Sequence, residues 1–222
     1  MIKSVIFDLD GTLTNTLEDI AEATNYGLTK MGYKTHSAES YKNMIGSGVR
    51  WLCVNALPGN REEDDEEVTK LLDLYYEYHN VHFMDHTKTY DGINEMLREL
   101  NKMGLSIGIL TNKPDHFTQP LVKKLMGDIP FKFVMGNSDK LPIKPSKEAI
   151  DYVLGKMGAE AKTCAYVGDS DVDVMTAKNG GIENMIGVSW GFRGVEELNG
   201  AGVKYIAYSA DEVVNIIKEL NK

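Results

Sequence analysis

Cysteine is scarce in this 222-residue chain: only Cys53 and Cys164 occur, each inside an apolar pattern. No zinc or redox spacing can be built from them, and they read as two buried thiols in a reducing compartment. Basic residues are also in deficit, with 24 Lys and Arg against 33 Asp and Glu and a net charge of −9. That balance argues against nucleic acid or an anionic membrane surface as the partner. A small anionic substrate stays open, provided that local Lys or Arg and a metal offset the field. No apolar run approaches the ~20 residues of a membrane span, and Asp8 arrives before a signal-like stretch builds up. The expectation is a cytoplasmic protein, monomer or homodimer. There is no low-complexity linker and no internal repeat. What is present, 42% hydrophobic and 26% charged residues, is ordinary for a globular enzyme and long enough for a core carrying a smaller insert.

The chemistry concentrates first in Val5-Ile6-Phe7-Asp8-Leu9-Asp10-Gly11-Thr12-Leu13-Thr14. A short apolar run, the length of a buried strand, ends in two carboxylates and a glycine turn. In an open parallel sheet, the carboxyl ends of the strands border the ligand crevice, so Asp8 and Asp10 are expected to face a site. Carboxylates that close repel one another, and a hard cation with oxygen ligands such as Mg2+ relieves them. A solvated Asp-Gly turn after a strand is the bland alternative.

Leu17 to Met31 then has helical apolar spacing, and everything to about residue 85 reads as helix. Ser37 is placed as a helix cap, Gly46-Ser47-Gly48 as a break, and Pro58-Gly59 as a stop. The acidic run Glu62 to Glu67 suits the start of a solvated helix from Val68 through Tyr78, where negative charge complements the helix dipole. From residue 90, strands at 105–110, 131–135, 163–167, 185–188 and 203–206 alternate with helices that include 92–103, 146–157 and 210–220. Such alternation predicts right-handed crossovers and an α/β parallel sheet covered on both faces.

Polar residues follow three of these strands in the same manner: Asp8 and Asp10, then Thr111 and Asn112, then Asp169 and Asp173. With Lys144 on a loop entering a helix, they make a carboxylate cluster suited to Mg2+ and donors suited to phosphoryl oxygens. These residues resemble the haloacid dehalogenase superfamily. Asp8-Leu9-Asp10-Gly11-Thr12-Leu13 matches its first motif, Thr111-Asn112-Lys113-Pro114 its second, Lys144-Pro145 its third, and Gly168-Asp169-Ser170-Asp171-Val172-Asp173 its fourth. The helical insert looks like the cap of the subgroup that holds phosphoglycolate phosphatases, inorganic pyrophosphatases and beta-phosphoglucomutases. The resemblance implies a three-layer Rossmann-like core from residues 1–15 and 86–222, with an all-helical cap domain at 16–85.

It also implies roles. Asp8 is the nucleophile that forms a phosphoaspartyl intermediate, and Asp10 is the acid and base for leaving group and water. Mg2+ is held by the Asp8 side chain, the Asp10 backbone carbonyl and Asp169. Thr111, the backbone around Asn112, and Lys144 bind the phosphoryl group, and Asp173 holds Lys144 or a metal-bound water. Dehalogenases of the superfamily lack the second acid, so Asp10 speaks against carbon–halogen hydrolysis. Asn15, where an acid is common, and Tyr90-Asp91-Gly92, in place of Tyr-Pro-Gly, depart from the usual text away from the chemistry. The expected activity is Mg2+-dependent hydrolysis of a small phosphorylated metabolite, with 2-phosphoglycolate first. Mutase-like phosphoryl transfer, pyrophosphate hydrolysis and a non-catalytic phosphate or metal sensor are the alternatives.

Four features stay double. Arg50, beside the Gly46-Ser47-Gly48 break, is a candidate for a second anionic group of the substrate or a surface arginine. Lys113 is a phosphate contact or a surface lysine. His79, His82 and His86 read as hinge or surface residues, not a metal cluster. Trp190-Gly191-Phe192-Arg193-Gly194 borders the pocket or forms a structured loop.

Overall fold

In a computed structural model that describes residues 1–222, six parallel strands form one sheet in the order β5-β4-β1-β6-β7-β8. They are β1 (Ser4–Phe7), β4 (Ser106–Pro114), β5 (Phe133–Asn137), β6 (Cys164–Gly168), β7 (Asn184–Val188) and β8 (Tyr205–Ala207). The first strand is central, paired with β4 on one side and β6 on the other. All four of its residues are buried, and they alternate between two cores. Val5 and Phe7 join the larger cluster, and Ile6 the smaller one on the opposite face. A parallel strand buried on both faces cannot show polar alternation, which is why it reads as a continuous apolar run.

Helices α5 (Ile93–Lys102), α6 (Asp115–Met126) and α10 (Ala210–Leu220) cover one face; α7 (Lys147–Met157) and α8 (Asp171–Asn179) cover the other. Buried Ile93, Met96, Leu97 and Leu100 of α5 follow the spacing of a single helical stripe. A short α9 (Val195–Gly200) packs near β7.

Between β1 and β4 the chain builds α1 (Leu17–Lys30), α2 (Ala38–Tyr41), α3 (Val49–Ala56) and α4 (Glu66–His82) around a third cluster that includes Ile20, Leu28, Leu52 and Leu71. The predicted helix at Ser37 lasts four residues, because the chain turns at Lys42 towards the glycine loop. The acidic run behaves as expected. Asp65 caps α4 by accepting from the Glu67 N–H at 2.8 Å, and Glu66 and Glu67 fill the first turn.

The sequence reading contains no β2 (Thr14–Asn15) or β3 (Lys88–Thr89), yet these pair antiparallel where the insert leaves and re-enters the sheet. Two-residue strands carry too little periodicity to be read. Asp19 secures the same junction. Buried in the first turn of α1, it accepts from the His86 and Thr87 N–H groups, each at 2.9 Å, and from the Thr87 hydroxyl at 2.5 Å. These bonds satisfy a carboxylate that burial removes from water.

Candidate active site

Asp8 follows the central strand, and Thr111 and Asp169 belong to the neighbouring strand ends, so the three polar ends meet where the strand order reverses. The β4 ladder continues past Leu110, with a register shift, to Pro114, so Thr111 to Lys113 remain attached to the sheet.

Lys144 Nζ is the hub of the buried charges. It stands 2.8 Å from Asp8 Oδ1 and 2.8 Å from Asp173 Oδ1. Only the Asp173 contact has hydrogen-bond geometry; the approach to Asp8 is an ion pair that leaves Asp8 Oδ1 without a hydrogen-bond partner. Burial works against the Lys144 charge, but Asp173 and Asp8 more than offset it and hold the ammonium well above its ordinary range. Burial drives Asp8 upward; Lys144 pulls it back and Asp173 pushes it further up. Asp169 is also raised, by burial first and then by Asp173 and Asp8.

The three clustered carboxylates of Asp8, Asp169 and Asp173 lie within 4.8 Å of one another, but they are not equivalent. Asp173 is fully occupied: Oδ1 accepts from Lys144 and from the Tyr166 hydroxyl, and Oδ2 from Ser170 in a capping box at the start of α8. Asp169 accepts from the Thr12 hydroxyl at 2.9 Å and the Phe192 N–H at 2.8 Å, which aim it without exhausting it. Gly11 and Gly191 are required beside it, because a Cβ at either position would strike the Asp169 carboxylate. Asp8 and Asp169 thus form an all-oxygen pair, crowded and short of positive charge. Such a donor set fits a hard divalent cation.

Asp10 belongs to a separate pair. Its Oδ2 lies 3.2 Å from Lys113 Nζ, and its Oδ1 is buried without a partner. Lys113 is therefore no surface lysine; it is buried at the cavity wall. Thr111 is buried there too, its hydroxyl accepting from the Lys113 N–H at 3.2 Å. The Asn112 side chain is committed to structure. It accepts from the Lys144 N–H at 2.8 Å and donates to the carbonyls of Lys144 and Gly46. Only its backbone is left for a ligand.

The helical insert roofs these groups through Ile45, Gly46, Gly48, Leu52, Tyr75 and His79, leaving a cavity of about 50 Å³. Arg50 is not among its walls. Its guanidinium turns outward, donating to the Glu63 carbonyl at 2.7 Å and the Thr69 hydroxyl at 3.3 Å, so the expected anion contact is corrected. Helical phase decides this, and a break such as Gly46-Ser47-Gly48 leaves that phase unreadable. The loop 190–194 does border the pocket, through Phe192 and Arg193.

His79 also departs from the hinge-or-surface reading. It is 1% exposed, packed 4.7 Å from the Tyr75 ring and 4.8 Å from Phe117, with neither ring nitrogen hydrogen-bonded. His82 and His86 stay partly exposed and do not join it. Burial first, then the Lys113 charge, pushes His79 down to about 3. The unfolded chain then takes up a proton near its ordinary value of about 6.5 that the folded chain refuses, so stability falls as pH drops below that value. Wild type should lose about 2 kcal/mol more than His79→Gln between pH 7.5 and pH 5. Denaturant melts at both pH values test this, and equal losses would refute it.

Carboxylates gathered on a parallel sheet at its switch point, with two buried lysines and a helical roof, make a crevice suited to a cation and an anionic group. The chain belongs to the haloacid dehalogenase-like hydrolase family, whose model matches residues 5–188. Its relatives include phosphatases. The Pseudomonas fluorescens phosphoglycolate phosphatase is 32% identical over 86% of this chain and 70% of its own length. That of Colwellia psychrerythraea is 28% identical over 96% of both chains. Among solved structures, a predicted phosphatase from Clostridium acetobutylicum superposes with a TM-score of 0.87 at 30% identity, over 99% of each chain.

Proposed function

We propose that this phosphatase is a Mg2+-dependent phosphomonoester hydrolase that works through a phosphoaspartyl intermediate on Asp8. The observation that carries the reading is Asp8 itself: a buried carboxylate facing a roofed cavity, with Lys144 Nζ 2.8 Å from its Oδ1. Asp8 and Asp169 are the side chains that would hold the cation, joined by the Asp10 backbone carbonyl as the family resemblance implies. When bound, Mg2+ screens the negative charges of nucleophile and phosphate and polarises the phosphoryl oxygens.

Asp8 forms the new bond to phosphorus as the ester oxygen leaves, and Asp10 gives that oxygen its proton. Asp10 then takes a proton from the water that attacks the intermediate, which returns Asp8 and releases phosphate. Pairing with Lys113 keeps the Asp10 side chain apart from the Asp8 and Asp169 pair. Lys144 stabilises charge on the phosphoryl oxygens, with Asp173 holding it in place, and Thr111 and the Asn112 backbone complete the cradle. Residues 16–85 act as a cap that closes over the substrate, hinged at the β2–β3 pair and braced by Asp19.

With relatives named as phosphoglycolate phosphatases, 2-phosphoglycolate is the leading substrate. Phosphate release should require Mg2+, cease with chelator, and rank 2-phosphoglycolate above glucose phosphates and pyrophosphate in a substrate panel. Preference for a sugar phosphate would move the reading to the mutase type. Release unaffected by chelation would remove the metal from it.

A further inference from the structure

Two cations line the cavity, Lys113 and Arg193, and they differ in what already neutralises them. Lys113 is paired with Asp10. Arg193 has no carboxylate within hydrogen-bond distance; Glu197 stands 3.8 Å from its Nε, and that buried Nε has no hydrogen-bond partner. Its other contacts are neutral: Nη1 donates to Asn43 Oδ1 at 3.3 Å and Nη2 to the Ile45 carbonyl at 3.0 Å, both in the helical insert. An arginine has five N–H donors in a planar fork, so at least two of them are left over here. The side chain is 16% exposed. A guanidinium so placed has one loose ion pair, to Glu197, and N–H donors to spare.

The loop that presents it is fixed at both ends. The Phe192 N–H is bonded to Asp169 Oδ2, and the Trp190 indole donates to the Thr12 carbonyl at 3.0 Å. Arg193 is thereby held in register with the carboxylates at the floor while its tip reaches the roof. We infer that Arg193 is the specificity residue for a second anionic group, a carboxylate, on the substrate, supplied by the core loop after β7 and not by Arg50 of the insert. The inference rests on the phosphoester reading of the site and deepens it. A carboxylate on the non-reacting end of a small phosphate ester meets a lining cation with N–H donors free and its acid, Glu197, beyond hydrogen-bond reach, and a planar fork suits it. Because the same guanidinium holds Asn43 and Ile45, binding that carboxylate also favours the closed insert.

The test is equilibrium binding, measured by calorimetry with Mg2+ in an Asp8→Asn background where turnover cannot intervene. The two ligands are 2-phosphoglycolate and ethyl phosphate, which differ by the carboxylate. The parent should prefer 2-phosphoglycolate by roughly tenfold or more, a preference reduced to about threefold or less by Arg193→Met and partly kept by Arg193→Lys. Arg50→Met is the comparison and should retain it. Thermal melts establish that each variant is folded, and Arg193→Lys keeps a cation in place if the Met variant is not. The inference is overturned if the parent shows no preference, if Arg193→Met keeps it, if Arg50→Met loses it, or if Arg193→Met weakens both ligands equally, as a mere clasp on the insert would. Turnover by the wild-type enzyme is read in parallel. An Arg193-dependent preference without hydrolysis of either ester would sink the phosphatase mechanism and leave this inference standing.

Discussion

Asp8→Asn should lower phosphate release by roughly 10⁴-fold or more while the protein stays folded. The substitution keeps the shape of the side chain and removes its nucleophilic oxygen and its charge. Lys144 would still have Asp173, through the bond that has proper geometry, so the buried cation does not lose its main partner. Asp8 is also the carboxylate that burial and Asp173 disfavour, which means its loss relieves crowding. Without a divalent cation, the variant should therefore melt no lower than wild type. Acid-quenched wild type turning over a ³²P-labelled ester should retain label on protein, and Asp8→Asn should retain none. Residual activity above about 1% would end the nucleophile assignment.

Lys144→Met should have a different signature, with activity falling by roughly 10³-fold and stability by about 3–5 kcal/mol. Here the variant deletes the only cation within 4 Å of both Asp8 and Asp173, leaving two buried carboxylates to repel each other. Ionising either in that environment is costly, so the damage is to the fold as well as to the site. Adding Asp173→Asn to Lys144→Met should restore part of the stability, because it removes one of the stranded charges, yet restore none of the activity. Urea melts and initial rates on the two variants and wild type check both halves. If the double variant is no more stable than Lys144→Met, the ion pair is not what holds these residues together.

The parts legible in the sequence are those fixed by local chemistry or by a repeating period. Val5 to Phe7 is too short and too apolar to be anything but a buried strand, and it is the centre of the sheet. The α5 stripe and the cap at Ser37 follow from spacing and side-chain type. Acids placed immediately after strands in a fixed order point to one crevice, since parallel crossovers bring strand ends to the same side. Asp8, Asp10, Thr111, Lys144, Asp169 and Asp173 could be named as a group for that reason.

What the sequence left open were matters of direction and partnership between segments far apart in the chain. Lys113 lies 103 residues from Asp10, and nothing local to either residue says that they pair. His79 shares a helix with exposed Glu77 and Asn80, and packing against Phe117 from α6 puts it inside. Arg50 and Arg193 look alike as text: each is an arginine close to glycines. The phase of α3 turns Arg50 to Glu63 and Thr69, whereas anchoring of the 190–194 loop on Asp169 and Thr12 delivers Arg193 to the cavity. By itself the sequence determined the family, the parallel core and the candidate carboxylates, because close-range covalent order carries that information. Tertiary structure alone decided which cations those carboxylates meet and which arginine reaches the cavity, because Coulomb energy depends on distances through space that only the packed chain sets.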